Sequence, residues 1–224
     1  MIENVLQPRI MENKDWATYL FIFSFALIAI TKAAFETRFN DFLRILVSDK
    51  YIKVYKDTSH LKSGFTILLF IVQIISFSFF IQLLLHQLGY ISKTDWILFI
   101  RIFTFFGIFV LSKFLIEKII ATTFNIEEFN EQLNLQKVSY RTFIGILLLP
   151  INIYLFYNNN PSNVLFFIVI SLILITNLFT YLVSLKVYQN LLISKVFYFI
   201  LYLCALEIAP YYFIYYLITK NLAH

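Results

Sequence analysis

The feature that most constrains the fold is a series of six long apolar runs separated by short polar links. A helix needs about 20 apolar residues to cross the hydrocarbon core of a bilayer. Because a chain inside lipid must satisfy its own backbone hydrogen bonds, such runs fold as helices. The sequence therefore predicts an all-α integral membrane bundle of six transmembrane helices. The expected spans are residues 16–34, 64–90, 95–121, 141–157, 164–185 and 196–216.

The composition excludes a soluble globular domain. Hydrophobic residues make up 60% of the 224 residues and charged residues only 14%, and the mean hydropathy is +0.79. Soluble domains are about 25% charged. The net charge of +5 comes from basic residues at the ends of apolar runs, which argues against a nucleic-acid partner. We expect residues 1–224 to form a single membrane domain whose main partner is the lipid bilayer.

Two polar links are expected to form surface helices. In the first, residues 35–50, aromatic and aliphatic side chains recur at helical spacing with charged residues between them, which is typical of an amphipathic helix in the headgroup layer. In the second, residues 125–137, Asn125 and Glu128 resemble a helix N-cap pair. The first link carries a basic patch that could meet anionic headgroups or a cytoplasmic partner. Its members are Arg38, Arg44, Lys50, Lys53, Lys56 and Lys62.

Basic residues also predict the orientation. Counted with their flanks, the links after the first, third and fifth spans hold thirteen Lys and Arg residues, against four on the opposite side. Cytoplasmic loops are enriched in such residues. The three links are therefore expected in the cytoplasm, with both termini on the periplasmic side.

One carboxylate stands inside the last apolar run. Glu207 lies three residues before Pro210, which frees a backbone carbonyl and predicts a helix kink, as Pro150 does in the fourth span. A charge at the centre of a span costs about 2.5–3.5 kcal/mol on insertion scales, so Glu207 should have a partner. Arg101 lies at a similar expected depth. The pair is either an ion pair that fixes helix register or part of a proton or solute pathway.

Three further polar residues are expected near that pair. Thr104 shares the helical face of Arg101, and Gln82 and His86 form part of a polar stripe on the second span. The sequence thus predicts a buried polar cluster that contains Glu207, Arg101, His86, Gln82 and Thr104.

Motifs for catalysis, metals and cofactors are missing from the sequence. It contains no His-Glu-x-x-His, no Gly-x-Ser-x-Gly and no phosphate-binding loop. The one cysteine, Cys204, lies in the last apolar run and is expected to be a packing residue. We therefore expect a protein without enzymatic activity, cofactor or metal.

The closing run gives a resemblance to a known family. It reads Phe197-Tyr-Phe-Ile-Leu-Tyr-Leu-Cys-Ala-Leu-Glu-Ile-Ala-Pro210 and resembles the C-terminal signature of a membrane-protein family of Bacteroidota, catalogued as domain of unknown function 4271. Trp16 before the first span, followed by Phe35, Arg38 and Phe39, is similar to the start of that family. The resemblance implies a multi-pass protein of the bacterial inner membrane. By analogy, it implies a link to cell-envelope machinery such as type IX secretion or gliding.

Two functional hypotheses follow. The first is a non-enzymatic membrane subunit or scaffold of an envelope assembly, with other membrane or envelope proteins as partners. The second is a small transporter or proton-coupled permeation protein that uses Glu207, Arg101 and His86.

Overall fold

The structure is a computed structural model that describes residues 14–45, 51, 54–55, 63–123, 127–158 and 162–187; side chains at 128–129, 132–133 and 179–187 are not described. The described part is all-helical and has six helices. Four are long and apolar enough to cross a membrane, so the chain is a membrane protein. The helices are α1 (Asp15–Ala34), α2 (Glu36–Leu43), α3 (Gly64–Gln87), α4 (Trp96–Thr123), α5 (Glu127–Tyr157) and α6 (Asn163–Val187).

The first three expected spans coincide closely with α1, α3 and α4. The second ends three residues earlier than expected, at Gln87. Gly89 has a φ of 82°, which favours glycine. Its N–H donates to His86 O at 2.9 Å, and the Tyr90 N–H donates to Leu85 O at 3.1 Å. These bonds close α3 with a left-handed glycine cap.

The second surface helix and the fourth span are one continuous helix, α5, where the sequence predicted two. The expected break lies next to Ser139 and Tyr140, which are 4% and 6% exposed. Their side chains are polar, which suggested a link, but packing against the rest of the bundle keeps this stretch helical. Pro150 lies inside α5 on an exposed position, and the helix continues to Tyr157. The kink expected at Pro150 stays a prediction.

The first surface helix ends earlier than expected. α2 ends at Leu43, where the Ile45 N–H donates to Phe42 O at 3.1 Å in a tightened last turn. Tyr140 of α5 donates its hydroxyl to Ile45 O at 3.4 Å, so a neighbouring helix holds this end. Residues 46–50 of the predicted helix lie outside the described residues, as does the sixth predicted span, 196–216.

Aromatic rings join four helices at the end of the bundle that holds residues 88–95, called the turn end below. Phe79 of α3 packs on Phe21 of α1 at a ring-centroid distance of 4.4 Å, on Phe99 of α4 at 4.5 Å and on Phe156 of α5 at 6.1 Å. Each such pair contributes about 0.5–1.5 kcal/mol beyond its buried area. Trp16 stacks on Phe79 and donates its indole N–H to Thr94 O at 3.1 Å. The start of α1 is thereby tied to the turn between α3 and α4.

The closest approach between α3 and α5 is at Gly145. A Cβ at this position would lie 3.0 Å from the Gln73 Cα and 3.2 Å from its Cγ. Small residues at such crossings let membrane helices pack backbone to backbone. The short α3–α5 distance at this level therefore depends on residue 145 being a glycine.

We expect Gly145→Ala to lower the thermal stability of the detergent-solubilised protein, because the added methyl group meets the α3 backbone. Gly107→Ala is the matched control, since a Cβ there has its nearest neighbour, Ile74 Cδ1, at 3.8 Å. In a helix, Ala is favoured over Gly by about 0.5–1 kcal/mol, so the control should be neutral or stabilising. Equal melting temperatures for the two variants would contradict a tight crossing at Gly145.

Candidate functional site

The middle of the bundle holds a buried polar seam between α3 and α5, formed by Gln73, Ser76, Thr142 and Asn152. α3 has 24 residues, about 36 Å at about 1.5 Å per residue, so Gln73 and Ser76 lie near its centre. Both are almost completely buried, at 1% and 0% exposure. Polar groups at this depth are costly in lipid unless they are paired within the protein.

The seam is hydrogen-bonded across the two helices. Thr142 Oγ1 donates to Gln73 Oε1 at 2.9 Å. The Asn152 amide donates to Ser76 O at 2.7 Å and to Ser76 Oγ at 3.3 Å. This seam was not predicted from the sequence, although two polar residues one turn apart inside an apolar run, Gln73 and Ser76, were a detectable signal. Asn152 Oδ1 is buried without a hydrogen-bond partner in the described part of the chain.

Gln82 and His86, two members of the predicted cluster, both lie at the turn end of α3. Gln82 is 1% exposed, and its amide donates to Asp95 O at 2.8 Å and to Lys93 O at 3.4 Å. His86 Nδ1 lies 2.8 Å from Ile91 O. Both side chains therefore hold backbone carbonyls of the turn. Lys93 extends the network by donating to Asn158 O, at the end of α5, at 2.9 Å.

Arg101 and Thr104, two other members, occupy exposed positions on α4. The described structure therefore does not bury them with Gln82 and His86 as the sequence predicted. Glu207 and Pro210 lie outside the described residues. The pairing of Arg101 with Glu207 remains a prediction.

The opposite end of the bundle is organised by Arg38, which is only 6% exposed. Its guanidinium donates to Ser63 Oγ at 2.6 Å, to Thr66 Oγ1 at 3.3 Å and to Tyr51 OH at 3.4 Å. It also lies 4.5 Å from the ring centroid of Phe65 and 5.0 Å from that of Tyr55. Cation–π contacts of a desolvated Arg contribute about 2 kcal/mol. Arg38 thus links α2 to the start of α3, and this end is called the Arg38 end below.

The basic patch predicted from the sequence is accordingly divided. Arg44 is exposed, whereas Arg38 is buried among aromatic rings and is not available to a lipid headgroup. Its burial depends on residues far along the chain, which the local pattern did not reveal. The four lysines of the patch lie outside the described residues: Lys50, Lys53, Lys56 and Lys62.

A small cavity lies beside the Arg38 end, between α3 and α5. Its volume of about 10 Å³ is close to the room needed by one water molecule. Four of the residues that line it carry hydroxyl groups: Tyr51, Thr66, Ser139 and Thr142. Burial raises the pKa of the Tyr51 phenol above its ordinary value of 10.0, and the neighbouring Arg38 guanidinium partly offsets that rise.

An ion pair joins α4 to α5 at the same end. Lys137 Nζ lies 3.8 Å from Glu117 Oε1, and both side chains are largely buried. The Asn130 amide donates to Glu117 O at 3.4 Å. The Glu117–Lys137 ion pair crosses between two helices. Within the described residues, no group of three His, Cys, Asp or Glu side chains is placed to hold a metal ion.

We expect Arg38→Lys to lower the thermal stability nearly as much as Arg38→Ala. A lysine ammonium cannot reproduce the planar guanidinium, which hydrogen-bonds three hydroxyls while lying against aromatic rings. Hydrogen bonds to a charged group contribute about 1.5–3 kcal/mol. The control is Arg44→Ala on the exposed side of the same link, which should change little. If Arg38→Lys kept the full thermal stability, a positive charge without the guanidinium geometry would be enough to stabilise this end of the bundle.

The raised pKa of Tyr51 predicts alkaline destabilisation. Above pH 10 the unfolded phenol ionises before the folded one, so stability is lost as the pH rises from 10.0 through the folded pKa. Tyr51→Phe should show a smaller loss of melting temperature over this range than the unsubstituted protein. Tyr19→Phe, at a position 73% exposed, should follow the unsubstituted protein. If the melting temperatures of both variants fell equally with rising pH, the alkaline loss of stability would not be due to Tyr51.

The chain matches a known family of proteins. The model of a family described as a domain of unknown function, DUF4271, matches residues 17–218. No curated protein and no solved structure matches the chain.

Proposed function

The chain belongs to the DUF4271 family, a domain of unknown function, and we propose that it is a non-enzymatic integral subunit or scaffold of a bacterial cell-envelope assembly in the inner membrane. In this proposal it crosses the membrane six times, with both termini in the periplasm. α2 acts as a short amphipathic helix in the cytoplasmic headgroup layer. A link to type IX secretion or gliding is the analogy that the family resemblance suggests.

The observation that carries the proposal is how the bundle uses its buried polar groups. Gln73 pairs with Thr142 across the α3–α5 seam. Gln82 holds the Asp95 carbonyl at the turn end, and Glu117 pairs with Lys137 at the Arg38 end. These contacts fix helices relative to one another at three depths. Such an arrangement favours a rigid structural subunit over a protein that must open a path for a solute.

The outer surface offers faces on which partner helices could pack. On α1, Tyr19 and Ile22 are 73% and 61% exposed. On α6, Phe167 and Leu174 are 70% and 64% exposed. In a bilayer, helices associate through close packing of such faces and not through a hydrophobic driving force. A partner in the assembly is therefore expected to be another transmembrane helix that packs against α1 or α6.

A second candidate function, a small transporter or proton-coupled permeation protein, is favoured by one observation. Asn152 Oδ1 is buried near the middle of the membrane part without a partner in the described residues. An unsatisfied buried acceptor costs about 1–3 kcal/mol. A solute, water or proton donor passing along the seam would satisfy it.

The scaffold proposal is tested with photo-crosslinking residues in native membranes. Positions Ile22 on α1 and Phe167 on α6 are substituted one at a time, and buried Phe79 serves as the control position. We expect a discrete protein adduct from at least one exposed position and none from Phe79. Mass spectrometry of the adduct identifies the partner.

The same experiment is paired with a flux measurement on purified protein in liposomes. The scaffold proposal expects no proton or solute flux above that of empty liposomes. Flux that is abolished by Asn152→Leu or Glu207→Gln, together with the absence of any protein adduct, would replace it with the permeation function.

A further inference from the structure

One helix of the bundle is left largely uncovered by the described residues. In the most apolar 18-residue window of α4, only 6% of the positions are buried. Exposed side chains recur every three or four residues along it and lie on one face, called the α4 stripe below. Its members are Ile97, Arg101, Thr104, Ile108, Leu111 and Leu115.

The α4 stripe includes a charge at membrane depth. Arg101 lies five residues after Trp96, the first residue of α4, which is about 7.5 Å at about 1.5 Å per residue. A guanidinium inside a span is costly unless it pairs or reaches the interface. The occupant of this face should therefore supply a carboxylate at the level of Arg101.

A partner at membrane depth must lie within an apolar span. The six expected spans contain three carboxylates: Asp95, Glu117 and Glu207. Asp95 Oδ1 accepts the N–H groups of Ile97 and Leu98 and caps α4. Glu117 pairs with Lys137. A second copy of α4 would bring one Arg101 against another, which repels. Glu207 is the candidate that remains.

We infer that the apolar run 197–216 packs antiparallel on the α4 stripe, with the Glu207 carboxylate accepting hydrogen bonds from the Arg101 guanidinium. The described part of α6 extends to Val187, which leaves residues 188–196 between it and the run. Nine residues reach about 30 Å when extended, or about three helix diameters. The link is therefore long enough to bring the run from the end of α6 to α4.

The pairing of Glu207 with Arg101 also sets the register. In an antiparallel pair, a residue three positions before Glu207 lies level with one three positions after Arg101. These two residues are Cys204 and Thr104, each about one helical turn from its charged neighbour and so on roughly the same face. Because Cys204 is the only cysteine of the chain, one substitution is enough to test the contact.

The first test is disulfide formation between Cys204 and a cysteine introduced by Thr104→Cys, in the full-length chain in native membranes. Oxidation should protect both thiols from maleimide labelling, and mass spectrometry should find the 104–204 linked peptide within a single chain. Leu174→Cys on the exposed face of α6 is the matched control and should leave both thiols reactive. If Thr104→Cys does not fold, the second variant pairs Ile108→Cys with Ile200→Cys in a Cys204→Ser background, because residues 108 and 200 are level with each other in the same register.

The second test exchanges the charges. Arg101→Glu and Glu207→Arg should each reduce the yield of monodisperse protein, and the double exchange should restore it. The inference would be overturned if both thiols could still be labelled after oxidation and the double charge exchange failed to restore the yield. A disulfide between two chains would instead indicate a dimer at this face. Either failure leaves the photo-crosslinking result on α1 and α6 unaffected, so it is separable from failure of the scaffold proposal.

Discussion

The close crossing of α3 and α5 is the contact on which the rest of the bundle depends. At Gly145 the two backbones approach closely enough that a single methyl group would press on Gln73. That approach brings Thr142 within hydrogen-bonding distance of the Gln73 side chain and Asn152 within reach of Ser76. α1, α4 and α6 then pack around this pair, and the aromatic cluster centred on Phe79 fixes the turn end.

The two ends of the bundle use different physical means. At the turn end, the Gln82 amide and the His86 imidazole contact backbone carbonyls of the loop between α3 and α4. At the Arg38 end, a guanidinium is held by hydroxyls and ring faces, and an ion pair joins α4 to α5. Buried charged side chains lie near the two ends of the bundle, Lys93 at the turn end and Arg38 and Glu117 at the Arg38 end. The distribution agrees with the high cost of charge in the central hydrocarbon region.

The sequence predicted the features that depend on local pattern. The apolar runs located α1, α3 and α4 within a few residues, because length and hydropathy alone decide such helices. It failed where distant residues decide the outcome. The polar stretch around Ser139 remains helical because it is buried. Arg38 is buried because the rings of Tyr51 and Phe65 pack against its guanidinium. Gln82 and His86 stood out in the sequence as polar residues inside a span, but their contacts with the turn could not be predicted from a helical stripe.

The hydrogen bonds of the seam have a consequence for how the protein is made. Thr142 lies 69 residues after Gln73, and Asn152 lies 76 residues after Ser76. As the ribosome delivers the chain from its N-terminus, α3 enters the membrane well before α5, with its glutamine and serine still lacking their partners. α3 would have to wait at the insertion machinery, or beside a chaperone, until α5 arrives. Biogenesis of the protein should therefore be sensitive to any delay in synthesis between these two helices.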